Sequence, residues 1–309
     1  MRSDPFTFTS DDGAELYVHR FLPDGPPRAV LHIAHGMSEH GARYARLATA
    51  LTAAGYAVYA SDHRGHGRTA ASEADLGFFG SRGGWARLVR DLELLIVDEH
   101  EHHPGLPLAL MGHSMGSFLV QTFLLEHAAL LKAAVLSAST GKPTLLAQAG
   151  RLLARIERLR IGERGHSALL ESMSFGAFNK QFAPTRTAFD WLSRDAAEVD
   201  AYIADPRCGF ACTTSGWVDM LDGTAHNADP ARQARIPHDL PVYLFAGSRD
   251  PVSENGKGVE RLAAEYRRAG LTRVLVRLYP DSRHETLNDL DRDRVTADLL
   301  AWLDEAIAS

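Results

Sequence analysis

The strongest constraint on this chain is Gly112-His113-Ser114-Met115-Gly116, with the apolar run Leu106 to Met111 leading in and a helical pattern from Ser117 to His127 leading out. Alone, G-x-S-x-G is five residues with two free positions. Between a strand and a helix it marks a sharp turn whose serine is held in a strained backbone conformation, with glycines on either side removing the side chains that would clash. Such a turn belongs to an architecture of alternating strands and helices, and it presents Ser114 to a ligand. The helix that begins there adds free backbone N–H groups and a positive dipole end, which suits the anion formed when an ester carbonyl is attacked.

A serine hydroxyl is a poor nucleophile unless a histidine removes its proton and an acid fixes that histidine. With the elbow, both partners are expected later in the chain, each after a late strand. Pro241 to Ala246 reads as a buried strand ending in Gly247-Ser248-Arg249-Asp250-Pro251, and Arg273 to Tyr279 as the next strand, followed by Pro280-Asp281-Ser282-Arg283-His284-Glu285. Asp250 is the expected acid and His284 the expected base. Asp281 and Glu285 are weaker acid candidates, because they lie too near His284 in sequence to replace an acid from the preceding strand. An oxyanion hole would combine the N–H of Met115 with that of Met37, which follows the strand Arg28 to Ala34 in the loop His35-Gly36-Met37-Ser38-Glu39-His40, where Gly36 allows a tight turn.

On these residues the chain resembles the monoacylglycerol lipase and lysophospholipase branch of the α/β-hydrolases, the group that also holds serine aminopeptidase-like members. His35-Gly36 with Glu39-His40 and Arg43-Tyr44 is similar to that branch's H-G-x-x-E-H-x-x-R-Y segment. Asp62 to Thr69 is similar to its D-x-x-G-H-G-x-S turn, with Thr69 where serine is commoner. Gly112 to Gly116, Asp250 and His284 fall on the family's catalytic positions. The resemblance spans nearly the whole chain and implies hydrolysis of carboxylic esters on lipids with one acyl chain, monoacylglycerol or lysophospholipid. An acyltransferase or aminopeptidase would keep the same three residues, and a non-catalytic binding protein of this fold would be expected to lose one. Epoxide hydrolases and haloalkane dehalogenases carry a carboxylate at the elbow, which Ser114 argues against.

Strands are expected near 6–9, 15–22, 28–34, 56–61, 107–112, 132–137, 241–246 and 273–279, with helices between them. The fold class is α/β, an α/β-hydrolase fold with a mostly parallel eight-stranded sheet covered on both faces and ligands bound at the C-terminal strand ends. From about Thr140 to Asn227 the alternation stops. The expected division is a core of residues 1–139 and 228–309 with a helical cap, 140–227, inserted after the sixth strand. Among the cap's aromatic residues, Phe178, Phe182 and Trp217 are expected at an acyl pocket. Arg151 to Arg160 places Leu152, Leu153, Ile156 and Leu159 at helical spacing with arginines elsewhere around the helix, a pattern able to make transient contact with a membrane surface.

The formal charge of -6 on 309 residues offers no basic surface for nucleic acid. No metal-ligand spacing is convincing, and no cofactor is called for. Glu101-His102-His103 reads as a helix end, and His63 and His66 as structural parts of a glycine turn. Cys208 and Cys212, four apart, suit two reduced thiols on one helix face. The chain shows neither a basic start followed by an apolar stretch nor a long apolar run, so a cytoplasmic location is expected.

Overall fold

In a computed structural model, which describes residues 1–308, five strands carry uninterrupted buried runs: β4 (Ala29–Ala34), β5 (Tyr56–Ser61), β6 (Leu108–His113), β7 (Ala133–Ser137) and β8 (Val242–Gly247). Residues buried on both sides of a strand leave no solvated face, which is the pattern of a parallel sheet covered by helices. These strands pair in parallel with one another, and β8 pairs in parallel with β9 (Val274–Tyr279). The N-terminal strands β1 (Arg2–Ser3), β2 (Phe6–Thr9) and β3 (Glu15–Leu22) are antiparallel additions, β3 pairing with β5. All eight expected strands are present. The ninth, β1, is two residues paired with Phe21 and Leu22, too short to carry a periodic signal.

The sheet order is β1-β3-β5-β4-β6-β7-β8-β9, with β2 beside β3. From β4 the chain first moves to β5 on one side, then returns to place β6 on the other. The C-terminal ends of β4 and β6 are therefore neighbours at the point where the winding reverses, where ligand crevices form in open α/β sheets. Helices α1 (Ala45–Ala53) and α11 (Arg292–Ala308) cover one face, while α2 (Gly84–His102), α3 (Met115–His127) and α10 (Lys257–Arg268) cover the other. In α2, Trp85, Leu88, Val89, Leu92, Leu95 and Ile96 fall on one buried side at i, i+3, i+4 spacing.

Between β7 and β8 lie α4 (Leu145–Ile161), α5 (Ala168–Met173), α6 (Phe175–Lys180), α7 (Ala196–Ala204), α8 (Thr214–Asn227) and α9 (Pro230–Gln233). Thr144, Ser167, Asp195, Thr213 and Asp229 each accept a backbone N–H at a helix start. The insertion is not a body apart. Its helix α8 packs on α2 and α3, and Asn227 bonds the Thr122 hydroxyl at 2.7 Å and the Phe118 carbonyl at 2.8 Å. Trp217, Val218 and Met220 belong to the same apolar cluster as α2 and α3. Cys208 and Cys212 are free and buried, but they lie in the connection between α7 and α8, not on a helix as their spacing had indicated. No described helix is long and apolar enough to cross a membrane.

Candidate active site

Ser114 joins β6 to α3 with φ 52° and ψ −121°, a region that L-residues rarely occupy. Its backbone is fixed on both sides: the Ser114 N–H bonds the Ser137 carbonyl at 2.9 Å, and its carbonyl accepts the Ser117 hydroxyl at 2.6 Å. Gly116 permits the turn because a Cβ there would stand 2.0 Å from the Ala34 carbonyl oxygen.

Asp250 follows β8 and His284 follows β9, and the two meet with Nδ1 to Oδ1 at 2.7 Å, both side chains buried. Burial opposes ionisation of Asp250, but the His284 imidazole, the Ser253 side chain and the Val252 N–H outweigh it and hold the carboxyl below its ordinary value. An ionised acid at Nδ1 fixes the tautomer that leaves Nε2 free to accept a proton. Ser114 and His284 line one cavity of about 560 Å³.

The loop after β4 stands against the elbow. A Cβ on Gly36 would lie 3.3 Å from the Ser114 Cβ, so glycine is needed here for close approach; the positive φ, 57°, falls instead on Ser38. The Gly36 N–H is taken by Glu39 Oε1 at 2.6 Å. Among the described residues, the N–H groups of Met37 and Met115 have no hydrogen-bond acceptor. Ser38 anchors the loop: its N–H donates to His66 Nε2 at 3.2 Å, and its carbonyl accepts Tyr202 Oη and the Gly209 N–H, each at 2.9 Å.

Three buried histidines support this loop as neutral rings. His35 Nε2 accepts the His63 N–H at 3.0 Å, and His66 Nε2 accepts from Ser38, so neither can carry a proton there. Burial first, then neighbouring imidazoles, pushes His35 well below its ordinary value and His63 to about 3; burial takes His66 to about 4. Beside them, Arg43 donates to Glu39 Oε2 at 2.7 Å and to Glu285 Oε1 and Oε2 at 2.6 and 2.7 Å. Glu285 is thus committed to Arg43, and Asp281 bonds through its N–H to the Ser248 hydroxyl; Asp250 alone is the acid on His284.

Phe178, Phe182 and Trp217 are not among the residues that line the cavity. Phe178 packs behind the wall against Phe175 and Trp191, Phe182 lies under the guanidinium groups of Arg249 and Arg283, and Trp217 faces α5, donating Nε1 to Glu171 at 3.3 Å. The lining aromatics are Phe175, Phe189, Trp191 and Tyr202, joined by the polar side chains of His166, Glu171 and Ser172. Two donor clusters, His19 with His40 and Asp62, and His40 with Asp205 and Cys208, bring potential metal ligands within 4.8 Å of one another. In each a histidine is already hydrogen-bonded to a carboxylate, at 3.1 and 2.8 Å, which accounts for the placement without an ion.

A mostly parallel sheet, a strained serine elbow and an Asp–His pair on the same strand ends define a hydrolase of the α/β-hydrolase type. The sequence profile of the serine aminopeptidase S33 family matches residues 25–291, and the chain belongs to that family. It is 28% identical over 302 residues to the monoacylglycerol lipase of Mycolicibacterium smegmatis, covering 96% of this chain and 95% of that protein. To the monoglyceride lipase of Homo sapiens it is 29% identical over 251 residues, 79% of this chain and 72% of that protein. A thermostable carboxyl esterase from Bacillus coagulans, solved in complex with glycerol, superposes with a TM-score of 0.91 at 26% identity over 99% of both chains.

Proposed function

We propose that the protein hydrolyses carboxylic esters of neutral monoacyl lipids, monoacylglycerols, through an acyl-enzyme on Ser114. The observation that carries this reading is the His284–Asp250 pair at 2.7 Å opening on the cavity that Ser114 also lines. In this mechanism His284 Nε2 takes the Ser114 Oγ proton as Oγ attacks the ester carbonyl. The N–H groups of Met37 and Met115, free of other acceptors among the described residues, receive the oxyanion. Collapse expels glycerol with the proton from His284, and water repeats the sequence on the acyl-enzyme.

The charge of the cavity favours a neutral head group over a phosphate. Glu39, Glu171 and Glu285 all line it. Arg43 is shared between Glu39 and Glu285, so it offers no free cation for an anionic lysophospholipid. Burial raises Glu171 above the ordinary carboxyl value, which suits hydrogen bonding to a hydroxyl better than pairing with the ammonium of a peptide substrate. The cavity volume lies within the range of small-molecule sites, and the four lining aromatics supply an apolar wall for an acyl chain.

The proposed membrane contact rests on α4, where Leu145, Leu152, Ile156 and Leu159 are 84%, 63%, 50% and 86% exposed. Its arginines are less available than the sequence suggested: Arg151 and Arg155 both pair with Asp222, and Arg160 with Glu157. Apolar insertion is therefore the main term, not attraction to anionic lipid.

Ser114→Ala should abolish both turnover of a monoacylglycerol and labelling by a fluorophosphonate. A substrate panel of monoacylglycerols, lysophospholipids and aminoacyl anilides then separates the lipase, lysophospholipase and aminopeptidase readings by relative kcat/KM. Labelling of Ser114→Ala at the wild-type rate would move the nucleophile elsewhere.

A further inference from the structure

We infer that Trp191, supplied by the insertion, is a positioning residue for His284 and stabilises the positive charge that its imidazole carries during turnover; this rests on the reading of Ser114, Asp250 and His284 as the reacting set. The indole and imidazole centroids are 4.8 Å apart with their planes at 36°, and Trp191 lines the cavity. The indole cannot drift. It is 4% exposed, stacks on Phe175 at 5.5 Å and 13°, and its backbone N–H bonds Asn179 Oδ1 at 3.1 Å.

The backbone around Trp191 is tied to the histidine loop. The His284 N–H donates to the Trp191 carbonyl at 3.4 Å and the Glu285 N–H to the Leu192 carbonyl at 2.8 Å. Ser193 Oγ donates to the Asn288 carbonyl at 2.9 Å, Arg194 Nε to Asp289 at 2.8 Å, and Arg283 to the Ser193 carbonyl at 3.1 Å. Residues 190–195 thus form a strap laid along the segment that carries the base.

His284 becomes an imidazolium each time it holds the serine or water proton. Asp250 meets that charge at the Nδ1 edge. The other ring in contact, His113 at 4.8 Å, is held to about 4 by burial and by His284 itself, so it brings no competing cation. The electron-rich indole face lies against the ring itself and attracts the cation there, and in a water-poor site that attraction corresponds to about 2- to 30-fold in rate. A neutral imidazole gains little from it. The contact is therefore stronger in the transition state than in the resting enzyme, and its loss should appear in kcat and not in KM.

The test compares W191F, which keeps an aromatic face, with W191M, which keeps bulk and apolarity without one. Because Trp191 Nε1 is buried with no hydrogen-bond partner, neither change orphans another group. Rates are measured on a soluble short-chain ester and normalised to sites titrated with a fluorophosphonate, so a partly unfolded variant still returns a kcat. W191F should stay within about threefold of wild type, and W191M should lose about 5- to 30-fold in kcat with KM within about twofold. Equal losses in the two variants, or full kcat in W191M, would overturn the inference. His284→Ala serves as the control: if it retains wild-type kcat the triad reading fails, whereas if it is inactive and W191M is unimpaired only the role of Trp191 fails.

Discussion

At the scale of single residues, Glu171 is where substrate choice is most exposed to test. Among the described residues its carboxyl lines the cavity with no cation beside it, held by Trp217 Nε1 alone among side chains. A phosphate brought beside this carboxyl either meets its charge or must keep it protonated, and both cost binding, so Glu171→Gln should raise kcat/KM for a lysophosphatidate relative to a monoacylglycerol by about tenfold. An unchanged ratio would mean that head-group selection lies elsewhere. The meeting of Asp250 with His284 was legible because glycine and proline punctuate the strand ends that carry them. The pocket wall was not. Whether Phe178 or Phe175 faces the cavity depends on how short helices such as α6 dock, and Trp191 sits in a strap without periodicity. His113 occupies a free position of the G-x-S-x-G turn, and Glu171 has no motif to announce it.

At the scale of elements, the exposed stripe of α4 gives the membrane proposal a sharp form. Each leucine side chain withdrawn from water into an interface contributes on the order of 1.5–3 kcal/mol, so Leu152→Asp with Leu159→Asp should cut sedimentation with phosphatidylcholine vesicles by at least about tenfold. Turnover of a soluble short-chain ester should be unaffected. Because Arg151 and Arg155 are occupied by Asp222, salt should reverse little of the wild-type binding. Undiminished sedimentation of the double variant would remove α4 as the docking element. The apolar spacing was readable in the sequence, but the pairing of its arginines was not, since Asp222 lies in α8, far along the chain. The central strands were readable for a simpler reason: parallel strands buried on both faces are unbroken apolar runs, whereas the two-residue β1 is too short to show a pattern.

At the scale of the whole molecule, four buried neutral histidines, His35, His63, His66 and His113, tie stability to pH. Their folded-state values lie below the unfolded value near 6.5, reaching about 3 for His63 and about 4 for His66 and His113. The unfolded chain therefore binds more protons than the native one as pH falls from about 6.5 towards 4, and stability declines across that window by up to about 1.4 kcal/mol per pH unit for each ring. Glu285, held near 2 by Arg43 against the cost of burial, loses its contribution as pH falls from the ordinary carboxyl value near 4.5 through about 2. Urea midpoints measured from pH 7.5 to 4.5 should fall steeply below pH 6; a flat profile to pH 5 would show that these rings are not buried as neutral groups. The strap at residues 190–195 carries a different consequence, for how such enzymes can be recombined. With its carbonyls accepting the N–H groups of His284 and Glu285, the segment between β7 and β8 is not an interchangeable module. A chimera that imports a relative's lid wholesale would also import the grip on its own base, so a workable graft must splice on either side of the strap and leave those six residues native.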